Sequence, residues 1–257
     1  MSKKIIHYCW FGGNPLPKLA KKCIASWQKY LPDYEIKEWN ESNFDVNICP
    51  FTKGAYENKK WAFIADYARV WALEQYGGIY FDTDMEVLKP IDEYLKLDMF
   101  LGYQDNGQIN AAVIGAKRPH EKHIKELLDY YNKQKKFDPA KVWDYAIPNI
   151  VTKQLSKYKK TTDEGVEIYD GSIYVYPRDY FYPLNYHYTE KCYTDKTVMV
   201  HWFDATWVPK YEKIKVNTIR KFGPKAWAVV EWSWGCLNTL RGRVGKLIKA
   251  TVNKKVI

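Results

Sequence analysis

Apolar positions along this chain switch between two periods, and the switches mark the elements. Lys4–Trp10 (KIIHYCW) is a short apolar run, expected to form a first strand buried on at least one side. Over Pro17–Tyr30 the residues Ala20, Cys23, Ile24 and Trp27 fall on one stripe, which predicts a helix with Pro17 near its first turn. Tyr34–Trp39 alternates as a second strand, and Asn40–Lys60, polar and interrupted by Pro50, is expected to be mostly loop. Trp61–Tyr76 is apolar almost all the way round, the pattern of a buried helix, and Gly77-Gly78 supplies a left-handed stop. A short strand, Ile79–Asp82, follows. Met99–Tyr103 and Ala111–Gly115 are further expected strands; His120–Gln134 and Val142–Tyr158 are expected helices, the second perturbed by Pro148. Tyr174–Tyr176 and Val198–Trp202 complete the set of strands. Strands alternating with helices predict an α/β fold with a mainly parallel sheet over residues 1–207. Beyond about residue 208 the pattern turns basic and amphipathic, so 208–257 is expected to be a helical C-terminal extension.

Composition changes this picture in three ways. A chain of 257 residues with 46% hydrophobic content can bury a full core without a disulfide or metal to hold it. The five cysteines (Cys9, Cys23, Cys49, Cys192, Cys236) are odd in number, scattered, and form no Cys-x-x-Cys pair, so a reducing cytoplasm is the natural compartment. No run reaches the ~18–20 apolar residues of a membrane span, and the opening MSKKIIHYCWFGG lacks a small-residue cleavage site. The net charge of +10 favours an anionic partner: nucleic acid, anionic lipid or a phosphorylated small molecule.

The candidate chemistry is in YGGIYFDTDM, residues 76–85. If the strand continues through it, Tyr80, Asp82 and Asp84 line one face at the strand's C-terminal end, where open α/β sheets bind ligands. Two carboxylates so close repel each other unless a cation sits beside them; hard oxygen ligands suit Mn²⁺ or Mg²⁺, which complete their shells with phosphate oxygens and water. The alternative is a solvated turn whose aspartates only satisfy backbone N–H groups. On the helix just upstream, Asp66 and Arg69 are three apart and share a face. A buried ion pair is a weak source of net stability, so the pair reads as a polar pocket wall beside the acidic turn.

Four segments, KIIHYCWFGG at 4–13, FIADYARVWALEQYGGIYFDTDM at 63–85, INAAVIGAKRPH at 109–120 and VHWFDATW at 200–207, together resemble the sugar-binding glycosyltransferases with an Asp-x-Asp motif, family 32 of the sequence-based classification. The resemblance implies a GT-A, Rossmann-like nucleotide-sugar-binding domain over 1–207, a divalent metal, Mn²⁺ or Mg²⁺, and retention of anomeric configuration. Trp10 matches an aromatic that stacks on the nucleotide base. Asp66 and Arg69 match the pair that contacts the donor sugar and are the candidate catalytic residues. Tyr80 and Asp82 match residues near the ribose and metal, Asp84 matches the direct metal ligand, and Asn110 corresponds loosely to an asparagine near the sugar. His201 and Trp207 match a C-terminal pair that closes over metal and diphosphate, His201 as a further ligand. His120 and His123, at a helix start, are expected on the surface.

The expected partners are a nucleotide-diphosphate sugar, UDP-linked by preference, and a glycan or lipid-linked glycan acceptor of a bacterial surface polysaccharide such as capsule. A basic amphipathic stretch over 223–257 is expected either to lie on an anionic membrane surface or to dock on the domain. An effector that glycosylates proteins is an alternative within the same chemistry. A non-enzymatic nucleic-acid-binding protein is suggested by the charge and the 17% aromatic content, but no nucleic-acid module is present and an acidic cluster would repel phosphates, so no nucleic acid is expected.

Overall fold

The computed structural model describes residues 3–104, 107–204, 208 and 210–231. In chain order the strands are β1 (Ile5–Cys9), β2 (Glu35–Trp39), β3 (Gly78–Phe81), β4 (Met85–Val87), β5 (Met99–Tyr103), β6 (Ile109–Ala116), β7 (Lys160–Asp163), β8 (Val166–Tyr169), β9 (Ile173–Tyr176) and β10 (Met199–His201). The α-helices are α1 (Lys18–Tyr30), α2 (Pro50–Glu57), α3 (Trp61–Tyr76), α4 (Lys122–Asn132), α5 (Ile147–Leu155), α6 (Arg178–Phe181) and α7 (Lys210–Phe222). Eight strands form one sheet in the order β2-β1-β3-β6-β5-β9-β8-β7; β4 and β10 pair separately as a two-stranded ribbon.

Pairing is parallel where a helix crosses over, at β1–β2, β1–β3 and β5–β9. It is antiparallel at β3–β6, β5–β6, β8–β9 and β7–β8. The parallel arrangement that strand–helix alternation predicts therefore holds in the N-terminal half and at β5–β9, while β6 runs against both neighbours. α3 lies at the centre of the core, in contact with β1, β3, β6, α2 and α4. Its all-round apolar surface needs exactly such a setting, enclosed on several sides at once.

The α3–β3 junction depends on its two glycines. Gly77 and Gly78 both have positive φ (65° and 93°), and a Cβ on Gly78 would meet Ile5 Cγ2 at 2.4 Å. The pair lets the chain reverse from helix to strand while β3 lies flush on β1.

Several expectations need correction. Asn40–Lys60 is not mostly loop: α2 forms within it, with Pro50 in its first turn, where a missing N–H costs nothing, and Thr52 reciprocally bonded to Cys49. The expected helix over Val142–Tyr158 is two pieces, a 3₁₀ segment Pro139–Tyr145 and α5, separated at Ala146, whose backbone is extended. Pro148 fits the first turn of α5 but would break a helix interior. His123 is not on the surface. It is 2% exposed, on the buried stripe of α4 with Ile124, Leu127, Leu128 and Tyr131, its ring edge-on to Tyr158 at 4.9 Å and its Nε2 3.2 Å from Asp170. His120 is exposed, as expected.

The described residues fall into two compact units, one within Met1–Tyr186 and Glu190–Trp207, the other within His187–Thr189 and Val208–Ile257. In the second, α7 and a further helical stretch over 224–231 carry Tyr211 edge-on to Trp227, ring centres 5.5 Å apart. Most of the expected amphipathic stretch 223–257 lies outside the described residues. The four described cysteines are free thiols. Among the described residues no helix is long and apolar enough to cross a membrane.

Candidate active site

The site is built where β3 ends. The Asp82 N–H still donates to Ala112 O at 2.8 Å, extending the β3–β6 ladder by one bond. Then the chain turns, with Met85 N–H donating to Asp82 O at 3.0 Å, and continues as β4. Asp84 therefore sits in a tight turn rather than on a continuing strand, which corrects the strand-face argument for the acidic pair. Strand register still governs Tyr80 and Asp82: the Tyr80 hydroxyl donates to Asp82 Oδ1 at 2.8 Å.

α3 contributes the second layer. One Arg69 nitrogen, Nη2, lies 2.8 Å from Asp66 Oδ1 and 3.1 Å from Asp82 Oδ1. Nη1 donates to Ala111 O at 2.9 Å, Nε donates to Ala65 O at 3.3 Å, and the guanidinium lies 4.5 Å from the centre of the Tyr80 ring. The planar fork of arginine can serve all of these partners at once. Burial alone would lower its pKa, but Asp82, Tyr80 and Asp66 reverse that and hold the charge firmly. Asp66 responds oppositely: burial pushes its carboxyl up to about 6, against the pull of Arg69 and of an N–H from Ile147 at the start of α5.

The third layer comes from more than a hundred residues downstream. β10 pairs antiparallel with β4, placing His201 opposite Met85. The segment after it wraps the acidic turn: Trp202 N–H donates to Asp84 O at 3.0 Å, and Asp204 N–H donates to Asp84 Oδ2 at 2.7 Å. The Trp202 indole N–H donates to Glu86 at 2.8 Å, and Lys22 reaches the same carboxylate at 2.8 Å. His201 Nε2 is 3.2 Å from Asp84 Oδ1. Burial would raise the Asp84 carboxyl, but His201 and the Asp204 N–H outweigh it and hold it below the usual carboxylate value.

Oxygen atoms of Asp82 and Asp84 and a ring nitrogen of His201 all lie within 4.8 Å of one another. The other His201 nitrogen, Nδ1, is buried with no hydrogen-bond partner among the described residues. Two carboxylates and one imidazole are a donor set that fits a divalent cation.

Two residues of this layer were not singled out in the sequence. Phe203 stacks on His201 at 4.0 Å between ring centres, with a positive φ of 45°; Tyr182 meets the same ring edge-on at 5.7 Å and accepts from Val113 N–H at 3.1 Å. Phe203 lies inside the quoted VHWFDATW; Tyr182, in an aromatic-rich stretch, gave no positional signal. Trp10 is half-buried at the end of β1, its indole N–H donating to Asn14 O at 2.5 Å. Asn110 is buried; its Oδ1 accepts from Ala112 N–H at 2.7 Å and its amide donates to Gln104. Asp66, Arg69, Tyr80, Asp82, Asp84 and His201 thus share one cluster, and Trp207 lies outside the described residues.

With this geometry in place, the comparisons with known proteins are specific. Residues 17–101 match the model of the glycosyltransferase sugar-binding region containing DXD motif, and the motif falls on Asp82-Thr83-Asp84. Over that third of its length the chain is similar to the DXD-containing glycosyltransferase sugar-binding region. It is similar to lactosylceramide 4-alpha-galactosyltransferase of Pongo pygmaeus, 25% identical over 146 residues, covering 56% of this chain and 62% of that protein. The same enzyme of Homo sapiens matches at 25% over 56% of this chain and 38% of its own length, so the chain spans less than two thirds of each of these relatives. A glycosyltransferase of Acanthamoeba polyphaga mimivirus, L373, matches more widely, 24% identical over 86% of this chain and 90% of that one.

Proposed function

We propose that this protein is a glycosyltransferase that moves a hexose from a nucleoside-diphosphate sugar, UDP-linked by preference, to a hydroxyl of a lipid-linked surface glycan, with Mn²⁺ (or Mg²⁺) as cofactor. The observation that carries the reading is the juxtaposition of Asp82, Asp84 and His201 with the Arg69–Asp66 pair. Asp82, Asp84 and His201 would hold the metal, which when bound supplies Lewis-acid stabilisation of the departing diphosphate. Arg69 adds a fixed positive charge that needs no reorganisation as negative charge develops, because its partners already hold it in place. Asp66 and Asp82 present an anionic wall to the oxocarbenium-like sugar. Trp10, at the end of β1, offers a half-exposed ring for stacking the nucleotide base.

The acceptor reading draws on the relatives, whose name assigns them transfer of an α-galactosyl group to a glycolipid. A basic surface in the C-terminal unit suits such an acceptor: Phe222 and Val229 are 65% and 64% exposed beside exposed Lys221 and Lys225. Peripheral attachment of this segment to the anionic inner face of a membrane follows. Co-sedimentation with phosphatidylglycerol vesicles tests it, and a Phe222→Ser/Val229→Ser variant that binds as well as the parent refutes it. The transferase itself is tested by incubating the protein with a panel of sugar nucleotides, with and without Mn²⁺. Metal-stimulated release of a nucleoside diphosphate is expected; no release from any donor would overturn the reading.

A further inference from the structure

A chain of side-chain amides runs outward from the candidate active site. It begins at Asn110 on β6, beside Ala111, whose carbonyl holds Arg69. The Asn110 amide donates to Gln104 Oε1. Gln104 Nε2 donates to Gln108 Oε1 at 2.5 Å, and Gln108 Nε2 donates to Asn149 Oδ1 at 2.5 Å. Asn149 Nδ2 then donates to the Trp143 carbonyl at 2.9 Å. All four bonds point the same way, so each polarises the next.

A primary amide carries two N–H groups and two acceptor lone pairs. Each of Gln104, Gln108 and Asn149 spends one of each within the chain, which leaves one donor and one acceptor side by side on each. Gln104 and Gln108 are half-buried and Asn149 is exposed. Paired donors and acceptors of this kind match the vicinal hydroxyls of a pyranose. At the outer end stands Trp143, 59% exposed, on a 3₁₀ segment anchored by buried Tyr145 and by the Tyr130 hydroxyl bonded to Asp144 O. An indole face held on a fixed backbone complements the apolar C–H face of the same ring.

We infer that Gln104, Gln108, Asn149 and Trp143 form the acceptor subsite, which binds a neutral pyranose of the glycan by amide–hydroxyl hydrogen bonds and stacking on Trp143. This rests on the transferase reading above. Asn110 is then a positioning residue, since its amide is turned toward Gln104 and its own strand.

The full chain, with Mn²⁺ and UDP, is applied to a printed array of neutral galactosides, glucosides and mannosides. Trp143→Ala is expected to lower retention on the best-bound glycans roughly tenfold, Gln108→Ala by less, and Trp143→Phe to keep most of it. Melting temperatures should match the parent, because the substituted side chains are exposed or half-exposed. No retention of any glycan by the parent, or equal retention by Trp143→Ala, overturns the inference. Sugar-nucleotide hydrolysis into water by the same preparations reads the donor site separately. Hydrolysis that is intact while retention ignores Trp143 sinks this inference alone; absence of hydrolysis from the parent sinks the transferase reading beneath it. Hydrolysis lost together with retention in Trp143→Ala also counts against an acceptor role.

Discussion

His7 and His201 are both buried in the larger unit, and the fold treats them in opposite ways. His7 has a partner on each nitrogen: Nε2 meets Gly77 O at 2.9 Å, and Nδ1 accepts the Trp39 indole N–H at 3.2 Å. That pattern requires the neutral ring, and burial drives its pKa down to about 4. His201 has one partner, Asp84, and a buried Nδ1 with none among the described residues. An unsatisfied buried polar atom costs about 1–3 kcal/mol. The same chain that fully satisfies an imidazole in mid-sheet leaves one half-satisfied beside two carboxylates. The difference separates a histidine whose hydrogen bonds are all spent within the fold from one left incomplete among the described residues, and the proposed metal role of His201 draws on it.

The largest effect that could break this comparison lies at the carboxylate His201 faces. Asp84→Asn is expected to reduce metal-stimulated donor hydrolysis on the order of 10²–10³-fold with the melting temperature near that of the parent. Near-normal turnover with unchanged metal dependence would remove the basis for a metal site here.

Next come the histidines themselves. His201→Ala should weaken Mn²⁺ activation roughly 10–100-fold with little change in stability, because the substitution also removes an orphaned atom. His7→Ala should do the reverse. It leaves a cavity and strands Gly77 O and the Trp39 indole, costing about 2–4 kcal/mol and lowering the melting temperature by roughly 5–15 °C, while the folded fraction keeps full activity. If the two variants exchange these phenotypes, the assignment of roles is wrong.

The smallest effect sharpens the comparison through pH. His7 has a native pKa of about 4 against 6.5 unfolded, so the unfolded state binds more protons between those values and stability is lost as pH falls through them. Asp66 has a native pKa of about 6 against 3.8 unfolded, so the native state binds more protons and stability is lost as pH rises through that window. Each amounts to roughly 3 kcal/mol, and in the overlap the two slopes oppose. The metal-free parent should therefore show a nearly flat contribution from this pair between pH 4 and 6. Asp66→Asn should expose a stability that climbs with pH, and His7→Asn one that falls. Urea midpoints at three pH values would show it; parallel profiles for all three proteins would contradict the opposition.

Much of this architecture is legible in the sequence. Trp61–Tyr76 is matched to the residue, because an all-apolar helix between a clear start and two glycines leaves one solution. β5 and β1 were readable from short apolar runs. Elements set by tertiary partners were not. β4 exists because β10 pairs with it, and β7–β8 is an edge hairpin of two four-residue strands, exposed or half-exposed but for Tyr169, too short to stand out from the polar residues around them. α2 was hidden by a proline whose place in a first turn looks, in sequence, like an interruption. At the site, Asp66, Arg69, Tyr80, Asp82 and Asp84 were readable because they lie within one short stretch of chain. The Nδ1 of His201, without a partner among the described residues, the stacking of Phe203 and the inward turn of Asn110 follow from contacts over long separations, which spacing does not encode.

The ribbon of β4 with β10 has a consequence for the order in which the protein is made. Asp82 and Asp84 are synthesised well before His201, by roughly 6–25 s at ribosomal speeds of about 5–20 residues per second. Through that interval Arg69, already present thirteen residues ahead of Asp82, can neutralise one carboxylate of the pair, as it does in the finished structure. Asp84 has no such early counter-charge, and its partners His201 and Asp204 arrive with the last strand. If Asp82, Asp84 and His201 hold a metal as proposed, a nascent chain offers a cation only part of that set until His201 has been made. On the proposed metal role, order of synthesis would work as a timer that delays cofactor capture until the acidic turn and the last strand meet.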